Sequence, residues 1–226
     1  MRRATCSPAC EGKEEGHDEW PSFFLARDQA LGHMRQETNE ELRAEADRLL
    51  DSGLRKILND YGEVHVIGSY ALRLMVWRDL DLHIVQPAID KKRFFDLGGR
   101  IADLLSPHRM HYRDETIAAT QGLPRGLYWG VYLGDERDGA WKIDIWITDA
   151  DAFEATRVYG ERIRERLTDS TRRTILQIKS ECWRHPQYRR AFASGDIYTA
   201  VLDHGVAEID GFWRFLRDRT RAGLRK

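Results

Sequence analysis

Two segments, "DLDLHIV" (Asp79–Val85) and "AWKIDIWIT" (Ala140–Thr148), constrain the fold of this chain most. Both alternate apolar and polar residues, and successive strand side chains point to opposite faces. Leu80, Leu82 and Ile84 therefore share one face, with Asp79, Asp81 and His83 on the other. In the second segment Ile143, Ile145 and Ile147 oppose Lys142, Asp144 and Trp146. Each strand needs a core for its aliphatic face and presents acid on its reverse. If the two lie close in one sheet, three carboxylates converge.

Such convergence is unfavourable by itself. Asp is a poor strand residue, and a buried carboxylate needs compensation. Two unit charges about 4 Å apart repel by about 1 kcal/mol in water and about 4 kcal/mol at an effective dielectric near 20. Three raise one another's pKa values unless a cation intervenes. Hard divalent cations take oxygen ligands, and Mg²⁺ typically combines one or two carboxylates with substrate phosphates. A pair of such ions can stabilise both attacking and leaving oxygens of a phosphoryl-type displacement.

An Asp-x-Asp pair alone is commonly a solvated strand face. The segment around this one, "VIGSYALRLMVWRDLDLHIV", carries more. A strand, "EVHVIGS", ends at Gly68, and a short helix, "SYALRLM", follows with Ser69 as its expected N-cap. Ten residues after Ser69 comes Asp79, then Asp81. Gly68 permits close backbone approach, and a helix N-terminus favours phosphate. One unit thus offers a phosphate cradle and a metal bracket, and a later strand offers a third acid.

The rest of the chain bounds the possibilities. Its 226 residues suffice for one large or two small domains, and 42 % apolar against 32 % charged residues is a soluble balance. A formal net charge of −1 argues mildly against a long nucleic-acid substrate. No apolar run is long enough to span a bilayer, and the N-terminus lacks the apolar region of a secretory signal. The expected location is cytoplasmic. Three cysteines, Cys6, Cys10 and Cys182, give no disulfide framework and fit a reducing compartment. Cys6, Cys10 and His17 make an incomplete zinc set, and residues 1–20 read as a disordered tail. Apolar spacing predicts a helix over Glu37–Leu58 and another over "DKKRFFDLGGRIADLL" with Asp90 at its cap; "HRMHYRDETIA" reads as a strand. "GLYWGVYLGDERDGAWKIDIWIT" reads as a hairpin. After Asp149 the pattern is helical. The expected fold class is α+β: a mixed sheet with flanking helices over 21–148 and a helical domain over 149–226.

Gly-Ser, the ten-residue gap, Asp-x-Asp and a later Asp between apolar residues resemble the signature of the DNA polymerase β-like nucleotidyltransferase superfamily. The α/β half followed by a helical half is similar to its small bacterial members, including the aminoglycoside and lincosamide nucleotidyltransferases. The resemblance covers roughly Val64–Val85 and Lys142–Ile147, and matches the helical half only in kind.

By that resemblance Asp79 and Asp81 hold Mg²⁺ on a nucleoside triphosphate such as ATP. Asp144 completes a second metal site and helps deprotonate the acceptor hydroxyl, so two ions are implied. Gly68 and Ser69 contact the terminal phosphates, and Lys179 is placed to reach the triphosphate from the helical half. Lys142 can pair with Asp144 or with phosphate. The implied reaction is attack of a hydroxyl on the α-phosphate with release of pyrophosphate. The implied acceptor is a small hydroxyl-bearing molecule, as in antibiotic resistance. Two other readings stand beside it: a toxin–antitoxin-type enzyme that modifies protein or RNA, and an inactive nucleotide-binding or regulatory module. Arg78 is expected to face away from the acids, and His83 to be structural. Tyr128, Trp129 and Trp146 are expected in core packing, and "RFLRDRTRAGLRK" as a solvated helix end.

Overall fold

The computed structural model describes residues 37–88 and 90–223; the expectations for residues 1–20, including Cys6, Cys10 and His17, lie outside them. The two acid-bearing segments are neighbouring strands of one sheet. Its strands are β1 (Glu63–Val66), β2 (Asp79–Val85), β3 (Arg109–Asp114), β4 (Gly126–Tyr132) and β5 (Lys142–Thr148), in the order β1-β2-β5-β4-β3. β2 and β5 pair in parallel, and the other pairings are antiparallel. The sheet is therefore mixed, as expected.

Register sets Leu80 beside Ile143, Leu82 beside Ile145 and Ile84 beside Ile147. This aliphatic face is buried under Ala46 of α1 (Asn39–Leu49), Leu58 of α2 (Arg55–Asn59), and Phe94, Leu97 and Ile101 of α4 (Lys91–Leu105). Each fully buried Leu, Ile or Phe contributes about 1.5–3 kcal/mol, so the aliphatic half of the alternation fixes which way the acids point.

Local sequence sets the element ends. Thr38 and Glu41 form a capping box at α1, with the Glu41 amide donating to Thr38 Oγ1 at 3.2 Å and the Thr38 amide to Glu41 Oε2 at 2.8 Å. The helix expected over 37–58 is interrupted by a π-helical turn, Leu50–Leu54, because Gly53 takes φ +119°. Asp90 caps α4 as expected, accepting from the amides of Lys92 and Arg93. β3 is shorter than its sequence suggested. Asp114, its last residue, also caps α5 (Glu115–Ala118) by accepting from the Thr116 amide.

Beyond Thr148 come α6 (Ala150–Arg166), α7 (Asp169–Cys182), α8 (Ser194–His204) and α9 (Ile209–Gly223). The only strand pairing among the described residues there is an isolated bridge between Tyr188 and Phe192. Ile175, Ile178, Ile197, Val201 and Phe212 form a second core, which also takes in Leu72, Leu74, Val76 and Trp77 from the segment before β2. Trp77 stacks on Trp183 with centroids 5.8 Å apart. The helices are thus packed against the chain that leads into the acid strand. Among the described residues, no helix is long and apolar enough to cross a membrane.

Candidate active site

In the parallel β2–β5 pair Asp81 lies opposite Asp144, and Asp79 opposite Lys142. Directly paired residues share a face, so Asp79, Asp81 and Asp144 meet on the sheet's non-core side. Each offers a carboxylate oxygen, and these lie within 4.8 Å of one another.

The turn from β1 into α3 (Gly68–Leu72) closes over them. The Ile67 amide donates to the Asp81 carbonyl at 2.9 Å. Gly68 takes φ +62°, and a Cβ there would sit 2.0 Å from Asp81 Oδ2. Only glycine fits both demands. The N-cap of α3 is Ile67, without a side-chain cap, rather than Ser69; the cap lies two residues earlier because Gly68 supplies the turn. Gly68→Ala is expected to destabilise the fold by roughly 1–3 kcal/mol through φ strain and collision with Asp81. Thermal unfolding checks this, and a parental melting temperature would refute the close packing.

The acids are charge-stressed. Burial, and then the negative charges of Asp79 and Asp144, push the Asp81 carboxyl up to about 7. Lys142 supplies internal compensation, with Nζ donating to Asp79 Oδ1 at 3.1 Å and to Asp144 Oδ2. Burial works against its charge, but Asp79 and Asp144 outweigh burial and hold it above the ordinary lysine range. The Tyr128 hydroxyl donates to Asp144 Oδ1 at 2.7 Å, and burial beside Asp144 keeps it protonated. Gly130, opposite Asp144, leaves room for that ring: a Cβ there would lie 2.5 Å from Tyr128 Oη. An all-oxygen set with surplus negative charge suits a hard cation such as Mg²⁺.

The other expected residues divide. Lys179 is buried, and Nζ donates to the Leu74 carbonyl rather than facing open solvent. Burial lowers its pKa to about 8, partly offset by the charges of Asp79 and Asp81. It reaches the acids through their field and fixes the segment that leads into β2. Arg78 points away from the acids, as expected, and pairs with Glu45 at 2.7 Å and with Glu37. His83 is buried against Phe153 and Trp146, and burial followed by His65 lowers its pKa to about 4. Trp129 is in the core, its Nε1 donating to the Phe94 carbonyl at 3.0 Å. Tyr128 differs from its expectation: it is a partner of Asp144, not core filling. Arg189 carried no sequence signal. It sits at φ +64° between α7 and α8, and Asp79 and Asp144 outweigh its burial to raise its pKa. Nothing local distinguishes it from the many other arginines.

No known family model and no curated protein sequence matches the chain. Solved structures do. A mutant of the Cid1 poly(U) polymerase bound to MgATP is similar over 76 % of this chain and 52 % of its own, at 13 % identity and a TM-score of 0.54. A cytoplasmic RNA terminal U-transferase is similar over 76 % of this chain and 50 % of its own, at 14 % identity and a TM-score of 0.52. The chain spans about half the length of each. Its mixed sheet with flanking helices is the nucleotidyltransferase-type fold of these proteins.

Proposed function

We propose that the chain is a divalent-metal-dependent nucleotidyltransferase that moves a nucleoside monophosphate from an NTP to the terminal hydroxyl of an RNA. The observation that carries the reading is the meeting of Asp79, Asp81 and Asp144 within 4.8 Å, with the Gly68 backbone packed on Asp81. Asp79 and Asp81 would hold Mg²⁺, which would neutralise triphosphate charge and polarise the α-phosphate. Asp144 accepts the acceptor hydroxyl's proton, and its hydrogen bond from Tyr128 fixes the carboxylate for that task. Gly68 and Ser69 border the position for the terminal phosphates, and Arg189 adds positive charge beside the acids. Residues up to 148 form the catalytic half, and those from 149 the opposing wall.

Two features favour RNA over the small acceptor expected from sequence. The similar structures are of a poly(U) polymerase and an RNA terminal U-transferase. The acid face also continues across β4 and β3. Tyr132 and Arg109 follow Lys142 in one row, and Tyr128 and Arg113 follow Trp146 in another. The Arg109 guanidinium lies 3.9 Å from the Tyr132 ring centroid. Aromatic platforms with interleaved cations suit single-stranded nucleic acid, and a near-neutral total charge does not prevent a local strip of this kind.

The test uses end-labelled RNA oligonucleotides with each of the four NTPs and Mg²⁺. Stepwise extension that is lost on a 3′-deoxy end supports the reading. Pyrophosphate release with pooled small hydroxyl compounds, but no extension, returns the acceptor to a small molecule.

A further inference from the structure

Lys142 is a singular residue in this site. Its side chain is 1 % exposed, whereas those of Asp79 and Asp144 are 19 % and 18 % exposed. Its ammonium therefore lies on the inner floor of the cluster, and the two carboxylates open outward from it. Among the described residues the hydrogen bonds of Nζ go to those two acids alone. It is thus located where the two carboxylates would otherwise share an ion.

We propose that the Lys142 ammonium is a built-in cation between Asp79 and Asp144, so that the nucleotide-free site takes one divalent ion, on Asp81 and the outward oxygen of Asp79, instead of two. The inference rests on reading the three aspartates as a metal site. Charge balance supports it. Three carboxylates carry −3 and the hydrogen-bonded Lys142 returns +1, so one dication already neutralises this cluster, and a second leaves it at +2 before the nearby charges of Arg189 and Lys179 are added. The second dication would have to enter beside an ammonium it repels, in a floor position with little solvent to screen them. Lysine suits the role because its ammonium is a compact point charge on a long apolar stem, and that stem can lie along β5 while the head remains between the acids.

The test is a Mn²⁺ titration of the nucleotide-free protein, with free ion read by electron paramagnetic resonance. Wild type is expected to bind one Mn²⁺ per chain. Lys142→Met, which keeps the stem and removes the charge, is expected to bind a second with affinity raised at least about tenfold. Should Lys142→Met fold only with Mn²⁺ present, it is purified in the ion and counted after the excess is removed; a count of two still supports the inference. Two comparable sites in wild type, or one site in both proteins, would overturn it and leave the metal reading intact. No Mn²⁺ on wild type would overturn the metal reading itself, and this inference with it.

Discussion

Asp79→Asn and Asp81→Asn are each expected to lower nucleotide transfer by on the order of 10³-fold or more while leaving the chain folded. Asparagine keeps the shape of the side chain but loses the charge and one ligand oxygen. The aliphatic face of β2 is untouched, so Leu80, Leu82 and Ile84 remain packed. The two variants should also lose stabilisation by Mg²⁺–NTP. Asp144→Asn should behave differently, retaining more of that stabilisation but little turnover, because the task proposed for Asp144 is to take the acceptor's proton. Thermal unfolding with Mg²⁺–NTP and single-turnover extension separate the two effects. Parental turnover by Asp144→Asn would show that its role is misassigned.

In metal-free protein, Asp81→Asn should be the more stable form at pH 8, by on the order of 1–3 kcal/mol or roughly 5 °C. The folded carboxyl holds its proton up to about 7, whereas an unfolded Asp loses it near about 3.9. Between those values the folded state binds more protons, so Asp81 lowers stability as pH rises through that window. The advantage of the variant is therefore full above pH 7 and vanishes below about pH 4. Asp79→Asn and Asp144→Asn should give no such gain, since each deprives the buried Lys142 of a partner. The contrast separates Asp81, which has no ion-pair partner among the described residues, from its two paired neighbours. Unfolding temperatures at pH 5 and pH 8 in chelator read it directly, and equal gains from all three variants would contradict this charge arrangement.

The meeting of the three acids was legible because two periodicities coincided. Alternation fixed the faces of β2 and β5, and the aliphatic halves left the acids one side to occupy. The Gly-Ser turn was legible for a related reason, since a glycine before a short helix marks a tight approach. What escaped the sequence was whatever depended on distant packing. The cap of α3 moved to Ile67 because Gly68 needed φ +62° against Asp81. Tyr128 turned to Asp144 only because Gly130 leaves space across the strand pair. Lys179 was expected to reach the triphosphate from the helical half; its bond to the Leu74 carbonyl, a contact across 105 positions within reach of the charges of Asp79 and Asp81, is one that no local pattern encodes. Arg189 feels the charges of Asp79 and Asp144 from a turn without periodicity. The proposed RNA acceptor was the least legible feature, because Arg109, Tyr132, Arg113 and Tyr128 come to one face only once β3, β4 and β5 are in register.

The most direct measurement is a crystal structure with Mn²⁺ and a non-hydrolysable NTP analogue, with anomalous data at the manganese edge. An anomalous peak bounded by Asp79 and Asp81, with the triphosphate against Gly68 and Ser69 and the α-phosphate facing Asp144, is the expected result. A triphosphate bound elsewhere, or manganese bound away from the three aspartates, would contradict metal-dependent nucleotidyl transfer at this site.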